Sequence, residues 1–330
     1  MTAQTRMRAL KTWDFAALIR DYLDNEFNLP ELSVPDYSAD LLDLKDSSES
    51  FNSLNFAELA AENLRDEWRL GDGPIPNMVH LMESKGISIF WTNIESHTVD
   101  ACCHWANDQP IVLLNSNVES GERARFNAAH ELGHLVLHRE ELRKNLVIES
   151  SSEEIDDDFE PKPREESTVE EKASAAKRRE LEAHRFASAF LLPFRSWSQE
   201  TPIHSEPNEF LRMKRRWKTS VQAMIRRSFD LGILSEFQYE SAMKQVSIRG
   251  WRKLEPDSLP LEQSQVHKEI LELLRNRGES PLDLAFDLHL QASVLETLMP
   301  VSREFKTNIS KPVTRSTINP VLPFPSREEF

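Results

Sequence analysis

Residues 126–138 read FNAAHELGHLVLH, with His130 and His134 four positions apart and Glu131 directly after the first histidine. Residues four apart lie on one face of an α-helix, so the two imidazoles can converge on a single metal ion. The alanine and leucine residues around them can pack the opposite face of the helix against a core. The stretch therefore predicts a helix over 121–138 that carries a metal site.

Glu131 is the candidate catalytic residue of this motif. Zinc lowers the pKa of a bound water towards neutrality, and a carboxylate beside the ligands can accept the proton during attack on a carbonyl carbon. We therefore predict that His130 and His134 bind Zn²⁺ and that Glu131 is the general base. The alternative interpretation is a helix with incidental surface histidines.

His138 continues the four-residue spacing, but we do not predict it to be a ligand. Cα atoms eight residues apart on a straight helix are about 12 Å apart, which is too far for ligands of one tetrahedral ion. We expect a helix-end residue favoured by the helix dipole, or a group that orients a ligand. The metzincin spacing is absent, because no Gly and His follow at the required offsets.

A third ligand has to come from elsewhere, because a catalytic zinc site usually has three protein ligands and one open position. The best candidates lie in ELEAHRFASAFLLP, residues 180–193, at the end of a helix predicted over 173–192. Glu180 and Glu182 lie on different faces of that helix. We favour Glu180, because His184 follows it by one turn and can orient the site. Two solvated glutamates on an amphipathic helix are the alternative.

The remaining pattern predicts an α+β fold, with a small sheet before the motif and helices on both sides of it. Short apolar runs predict strands over 87–91, 99–105 and 111–115. Periodicity predicts helices over 13–27, 56–70, 76–85, 262–276 and 281–298, and two or three more within 207–246. Gly86 and Ser120 are candidate helix caps, and residues 107–110 a candidate hairpin connection.

The composition narrows the class of protein. The chain has 330 residues, 39% of them hydrophobic, and a net charge of −15, which argues against a protein that binds nucleic acid over its whole surface. No stretch approaches the ~20 apolar residues of a membrane span, and the N-terminus lacks the apolar core of a signal peptide. The only cysteines, Cys102 and Cys103, are adjacent, so no disulfide framework is expected. We expect a cytoplasmic protein.

The charge is unevenly distributed along the chain. Residues 149–171 are densely acidic and poor in apolar residues, which predicts a mobile insert over about 140–172, between the two helices of the site. Residues 212–227 are basic and fit a helix-turn-helix-like pair with its turn near Thr219 and Ser220. Direct DNA binding through 212–227 is one interpretation, and docking onto the acidic insert is another.

These features predict four parts. They are a helical segment and linker over 1–55, a zincin-like metallopeptidase domain over 56–200, a helical, helix-turn-helix-like region over 201–255, and a helical C-terminal region with a tail over 256–330. Strand 111–115 is nearest to the motif in sequence and is a candidate to pair with an extended substrate, with an ordinary core strand as the equal alternative. No tyrosine falls between residues 38 and 238, so a histidine or arginine is expected to stabilise a developing oxyanion.

The two motifs, RFNAAHELGHLVLH at 125–138 and ELEAHRFASAFLLP at 180–193, together resemble the ImmA/IrrE family of metallo-endopeptidases. In that family the second motif usually reads Glu-x-Glu-Ala-Asn/Asp-x-Phe-Ala and ends Leu-Leu-Met-Pro. The resemblance covers roughly residues 56–256. It implies a gluzincin-like zinc peptidase of the bacterial or phage cytoplasm that cleaves a transcriptional repressor or an antitoxin-like partner.

By position, the resemblance implies that His130, His134 and Glu180 bind the zinc and that Glu131 is the general base. This chain departs from the family pattern in having His184 where Asn or Asp is usual, and in the acidic insert between the motifs. Many longer relatives begin with a helix-turn-helix domain that this chain is expected to lack, which would leave DNA targeting to a separate partner.

Two other functions compete with the peptidase hypothesis. One is a non-catalytic regulator that binds protein or DNA and has a vestigial or structural metal site. The other is a zinc hydrolase acting on small amides. The intact Glu131 favours catalysis over the regulator, because a purely structural site needs no base.

Overall fold

The computed structural model describes residues 3–41, 52–93, 100–118, 120–143 and 169–305. It confirms the predicted α+β fold, because a three-stranded sheet lies among helices that precede and follow it. Most of the predicted acidic insert lies outside the described residues, so its mobility stays a prediction, and residues 306–330 of the predicted tail lie outside them as well.

Helices α1 (Ala3–Glu26), α2 (Ser53–Glu67) and α3 (Met78–Ser84) precede the sheet, and residues 38–41 are also helical. Helix α1 begins ten residues earlier than its apolar pattern predicts. Helix α3 is followed by Gly86, whose φ of +79° is the left-handed conformation expected after a helix end. A Cβ at this position would lie 2.7 Å from the Leu32 backbone, so the close approach of the two segments requires glycine.

The sheet contains β1 (Ser88–Thr92), β2 (Ala101–Ala106) and β3 (Gln109–Asn115) in the order β1-β3-β2. Strand β3 is parallel to β1 and antiparallel to β2. Asn107 and Asp108 join β2 to β3 with φ of 48° and 61°, the pattern of a tight type I′ hairpin. The prediction that strand 111–115 pairs with a substrate is wrong, because β3 is the central strand and both its edges are occupied.

Helix α4 (Gly121–Leu137) packs on one face of the sheet, against β2 and β3, and α5 (Val169–Leu191) packs beside α4. Ser120 caps α4 as predicted, since its side chain accepts a hydrogen bond from the Arg123 backbone N–H. Gly133 lies at the contact between the helices, where a Cβ would meet Phe186 at 3.0 Å and the Ala183 backbone at 3.2 Å. Small residues at this contact bring the two backbones close together.

Seven helices and a 3₁₀ turn follow in the described part of the chain. They are α6 (Phe194–Glu200), α7 (Pro207–Trp217), α8 (Val221–Asp230), α9 (Glu236–Ile248), α10 (Gln265–Asn276), α11 (Pro281–Asp287), α12 (Ala292–Leu298) and the turn Pro300–Phe305. The prediction of one helix over 281–298 is wrong. His289 adopts a φ of 56°, which ends α11 and turns the chain so that Leu288 and Leu290 both contact the core.

Apolar side chains of the sheet alternate between two clusters. Val112 and Leu114 of β3 pack with α2–α9, whereas Ile111 and Leu113 pack with α1 and α10–α12. The sheet is therefore covered by helices on both faces. The first cluster joins residues of the predicted 56–200 and 201–255 parts, and the division into four parts stays a prediction.

A strap, residues 251–264, links α9 to α10 and crosses the N-terminus of α4. The Gly121 backbone N–H donates to the Leu259 carbonyl, and a Cβ at Gly121 would lie 2.3 Å from the Pro260 oxygen. Glu262 of the strap forms an ion pair with Arg125 of α4, whose side chain is buried. The strap therefore fixes the start of the helix that carries the HExxH motif, His130-Glu131-x-x-His134.

Within the described residues, no helix has the length and apolar character needed to cross a membrane.

Candidate metal centre

Helices α4 and α5 bring His130, His134 and Glu180 together at one end of their contact. The Nε2 atoms of His130 and His134 are 3.1 Å apart. His130 Nε2 lies 3.2 Å from Glu180 Oε2, and His134 Nε2 lies 3.5 Å from Glu180 Oε1. All three predicted ligands thus point at one position between the helices.

These separations can be compared with those around a zinc ion. Zinc binds imidazole nitrogen and carboxylate oxygen at about 2.0–2.2 Å, so a tetrahedral site holds its ligand atoms about 3.3–3.6 Å apart. The three measured distances, 3.1, 3.2 and 3.5 Å, differ from that range by at most about two tenths of an ångström. The three side chains can therefore hold a metal ion with little movement.

The two candidate carboxylates of α5 differ sharply in their surroundings. The Glu180 side chain is 66% exposed and contacts both histidines, whereas the Glu182 side chain is fully buried and faces His138. His130 and His134 donate hydrogen bonds to Glu180 and lower the pKa of its carboxyl group well below the usual value. The structure therefore brings Glu180, and not Glu182, to the histidine pair.

Glu131 is buried between α4 and strand β2. The thiol of Cys103, on β2, donates a hydrogen bond to the Glu131 carboxylate. Burial, followed by the Glu131 charge, raises the pKa of Cys103 well above its usual value, so the thiol remains protonated. The sequence assigned no role to Cys103, because its position beside Glu131 depends on the packing of β2 against α4.

The site opens into a cleft of about 1210 Å³. One wall is strand β2, the floor is α4 and α5, and the far wall is α8, α9 and the strap. In the described sheet β2 is an edge strand, with β3 on its other side. In the part of the sheet that the structure describes, the outer edge of β2 therefore lies beside the histidine pair.

Residues 82–229 match the Peptidase M78 family, whose model is described as the IrrE N-terminal-like domain. The match includes both motifs and all four predicted site residues. Residues 82–229 form an IrrE N-terminal-like domain. At the level of the family, this domain is a metal-dependent, peptidase-type hydrolase.

A solved structure of a Mycobacterium tuberculosis transcriptional regulator is similar to this chain, with 20% sequence identity and a TM-score of 0.32. The similarity covers 52% of this chain and 46% of the regulator, less than half of that protein's length. No curated protein matches the sequence.

The IrrE N-terminal-like domain carries His184 one turn after Glu180, where the family usually has Asn or Asp. The His184 ring lies 4.8 Å from the Phe126 ring and 6.4 Å from the His130 ring, measured between centroids. Burial, and then the neighbouring His130, lower the pKa of His184. A neutral imidazole therefore borders the cleft beside the first histidine of the motif.

Tyr239 also lines the cleft, from helix α9 beyond the end of the IrrE N-terminal-like domain. Its ring stacks on Phe229 at 4.5 Å, and it forms a hydrogen bond with Arg226. The expectation that a histidine or arginine stabilises the oxyanion depended on the lack of tyrosine between residues 38 and 238, and Tyr239 lies one position beyond that range. His184, Arg226 and Tyr239 are among the hydrogen-bonding side chains that line this side of the cleft.

Most of the charge in the basic segment 212–227 is paired within the described chain. Arg227 lies 2.7 Å from Glu58, and Arg216 lies 2.8 Å from Glu200. Lys214 lies 2.6 Å from Glu122 and 3.2 Å from Glu255, and it is buried. These contacts leave less basic surface than the sequence indicates. DNA binding through this segment stays a prediction.

Proposed function

We propose that the protein is a zinc-dependent endopeptidase of narrow specificity that cleaves a transcriptional repressor or an antitoxin-like partner. The observation that carries the proposal is the buried Glu131 beside a cluster of three ligands that opens into a cleft. A structural zinc site is closed by four protein ligands, whereas a catalytic one keeps a position open. In the described residues, three side chains converge here.

Each residue has a distinct part in the proposed reaction. Zinc held by His130, His134 and Glu180 would polarise a carbonyl group and lower the pKa of a bound water. Glu131 would accept a proton from the attacking water and deliver it to the nitrogen of the leaving amine. The hydrogen bond from Cys103 would hold the Glu131 carboxylate in one orientation while it does so.

The edge of β2 supports a peptide as the substrate. An extended chain can add to an exposed strand edge through backbone hydrogen bonds, which give affinity without dependence on side chains. Strand β2 has such an edge next to the ligand cluster, and the cleft extends along it. Bound there, a substrate chain would cross the metal centre, with Arg226 and Tyr239 on the opposite wall and His184 on the floor.

The resemblance of the two motifs to ImmA/IrrE metallo-endopeptidases supports a repressor or antitoxin-like substrate. Lys214 and Arg227 are buried against carboxylates, which speaks against DNA binding by the competing regulator, because these two charges are not free to contact phosphates.

The test compares wild type with Glu131→Gln during co-expression with a helix-turn-helix protein encoded beside the gene. Glu131→Gln keeps the size of the side chain but removes the base, so we expect zinc content to persist and cleavage to slow by about 10²–10⁴-fold. Mass analysis of the partner should show a discrete fragment with wild type and the intact chain with the variant. Glu140→Gln is the control: Glu140 follows the end of α4 and its side chain is half-exposed, so this variant should cleave as wild type does.

Relief of repression with an intact partner in both strains would overturn the proposal. So would equal cleavage by wild type and Glu131→Gln when both proteins hold zinc, because the fragment would then come from another protease. Mass mapping of new protein termini across the host proteome extends the test to partners encoded elsewhere.

A further inference from the structure

His138 and Glu182 form a buried pair directly behind the metal centre. His138 Nε2 lies 2.9 Å from Glu182 Oε2, and the two side chains are 2% and 0% exposed. The other ring nitrogen of His138, Nδ1, lies 3.0 Å from Nδ1 of His134. A continuous line of contacts therefore runs from Glu182 through His138 to a candidate metal ligand.

The contacts along this line fix where each proton lies. For His134 to bind a metal through Nε2, that nitrogen must offer its lone pair, so the ring carries its proton on Nδ1. The His134 Nδ1–H then donates to Nδ1 of His138, which must be an acceptor. A neutral His138 consequently carries its proton on Nε2 and donates it to the Glu182 carboxylate. One set of neutral tautomers satisfies both hydrogen bonds and leaves His134 Nε2 free for the metal.

We infer that Glu182 and His138 are positioning residues that fix the orientation and tautomer of His134, and so set the affinity and geometry of the metal. The inference rests on the proposed function, because it assigns a metal to the cluster of His130, His134 and Glu180. A hydrogen bond from the non-ligating nitrogen of a metal-binding histidine to a carboxylate is a common second contact, and its loss typically weakens metal binding about 10–100-fold. Here a second histidine extends that contact.

The complete burial of His138 and Glu182 indicates a role beyond packing. Leu132, Leu135 and Val136 on the same helix pack against the core with apolar side chains alone. A carboxylate at a fully buried position loses its hydration, and this cost is offset only when hydrogen-bond partners are supplied. An apolar residue at position 182 would avoid that cost but would leave His138, and through it His134, without a fixed proton arrangement.

The two histidines of the motif are therefore held differently. His134 has the buried His138 and Glu182 behind it, whereas the neighbour of His130 is the His184 ring, 6.4 Å away between centroids. We therefore expect His138 and Glu182 to influence how His134 binds the metal, and not how His130 does. We expect His138→Leu to weaken zinc binding about 10–100-fold, and Glu182→Gln, which keeps an acceptor but not the charge, by about 10-fold.

Two measurements on the full-length protein test this expectation. Competition with a chelating dye gives the zinc dissociation constant of wild type, His138→Leu and Glu182→Gln. Replacement of zinc by Co²⁺ gives an absorption spectrum that reports the ligand geometry, and we expect the band positions to shift in both variants. Glu83→Gln is the matched control: Glu83 is also buried and accepts hydrogen bonds, but from Ser264 and the backbone of α10, so its zinc affinity and cobalt spectrum should match wild type.

Wild-type protein that binds no zinc would defeat the proposed function itself. Wild type that binds zinc, alongside folded His138→Leu and Glu182→Gln variants with unchanged affinity and spectrum, would overturn only the positioning role. Nitrogen NMR of the imidazoles in zinc-loaded wild type needs no variant and covers the case of misfolding. It should show the proton of His134 on Nδ1 and that of His138 on Nε2, and a His138 protonated on Nδ1 alone would refute the inference.

Discussion

The contact between α4 and α5 has two ends that use the same residue types in opposite ways. At the open end, His130 faces Glu180, which is exposed to the cleft; at the closed end, His138 faces Glu182, which is fully buried. Glu180 and Glu182 are two positions apart, about 200° around the helix. Their different roles follow from helix phase, since phase decides which carboxylate meets the cleft and which meets the core.

The comparison also separates two kinds of histidine contact. At the open end the imidazole nitrogens converge on one another and on a carboxylate, an arrangement stable with a cation in the middle. At the closed end each nitrogen has a protein partner of its own. Burial lowers the pKa of His138, and the hydrogen bond to Glu182 opposes this only in part, so the His138 imidazole stays neutral.

The largest effect is expected at the open end. The double substitution His130→Ala, His134→Ala removes two of three ligands and should abolish zinc binding, from about one ion per chain to none. Elemental analysis of the purified protein measures this directly. Full zinc occupancy in the double variant would mean that the metal binds elsewhere.

The next effect contrasts the two carboxylates. Glu180→Gln removes an anionic ligand and should weaken zinc binding by more than about 100-fold, beyond the range for loss of a positioning contact such as that of Glu182. Chelator competition on Glu180→Gln and Glu182→Gln in parallel gives the ratio. The reverse order would make Glu182 the ligand and would require α5 to rotate.

Another buried carboxylate, Glu83, tests whether burial alone accounts for the properties of Glu182. Burial raises the pKa of Glu83 to about 8, and Ser264 and the N-terminal backbone of α10 donate hydrogen bonds to it. An acid whose pKa is higher in the folded state contributes stability that is complete below its ordinary pKa and is lost as the pH rises through the folded value.

We therefore expect the unfolding free energy of wild type, relative to Glu83→Gln, to fall as the pH rises from about 5 to about 8. Urea denaturation of both proteins across this range provides the measurement. A difference that stays constant with pH would show that Glu83 is ionised throughout in the folded protein.

The smallest effect concerns the general base. Cys103→Val removes the hydrogen bond to Glu131 while keeping a similar volume, and a weak neutral donor of this kind is worth about 2- to 10-fold in rate. Steady-state cleavage kinetics should show a lower kcat with unchanged zinc content. Cys102→Val is the control on the same strand, because Cys102 packs on the opposite face of the sheet; equal losses in both variants would point to a general effect on β2.

Local signals allowed much of this molecule to be predicted. The helix over 121–138, its cap at Ser120, the left-handed Gly86 and the three strands all depend on residues close in sequence. The sequence favours Glu180 over Glu182 because His184 follows Glu180 by one turn, and the resemblance implies the same ligand, with Glu182 left as an alternative.

The features that sequence did not reveal depend on contacts between distant segments. The sequence favoured neither an edge nor a core position for strand 111–115, and the core alternative is confirmed, because the chain's return through β2 places β3 in the centre of the sheet. The sequence does not show that basic residues of 212–227 form ion pairs with Glu58, Glu122 and Glu200, which lie far from them along the chain or in another helix. His138 and Glu182 are 44 positions apart, and only the relative phase of two packed helices brings them together.

The strap and helix α2 have a consequence for where the molecule can be cut. Residues 82–229 contain all the candidate ligands, but the counter-charges of two fully buried arginines lie outside this range: Glu262 for Arg125 and Glu58 for Arg227. Removing one partner of a buried ion pair costs about 3–5 kcal/mol, and a domain has only about 5–15 kcal/mol of stability in total. A fragment trimmed to the homologous segment would carry the complete chemistry of the site and yet should not stay folded to use it, so a folded unit has to include at least α2 and the strap.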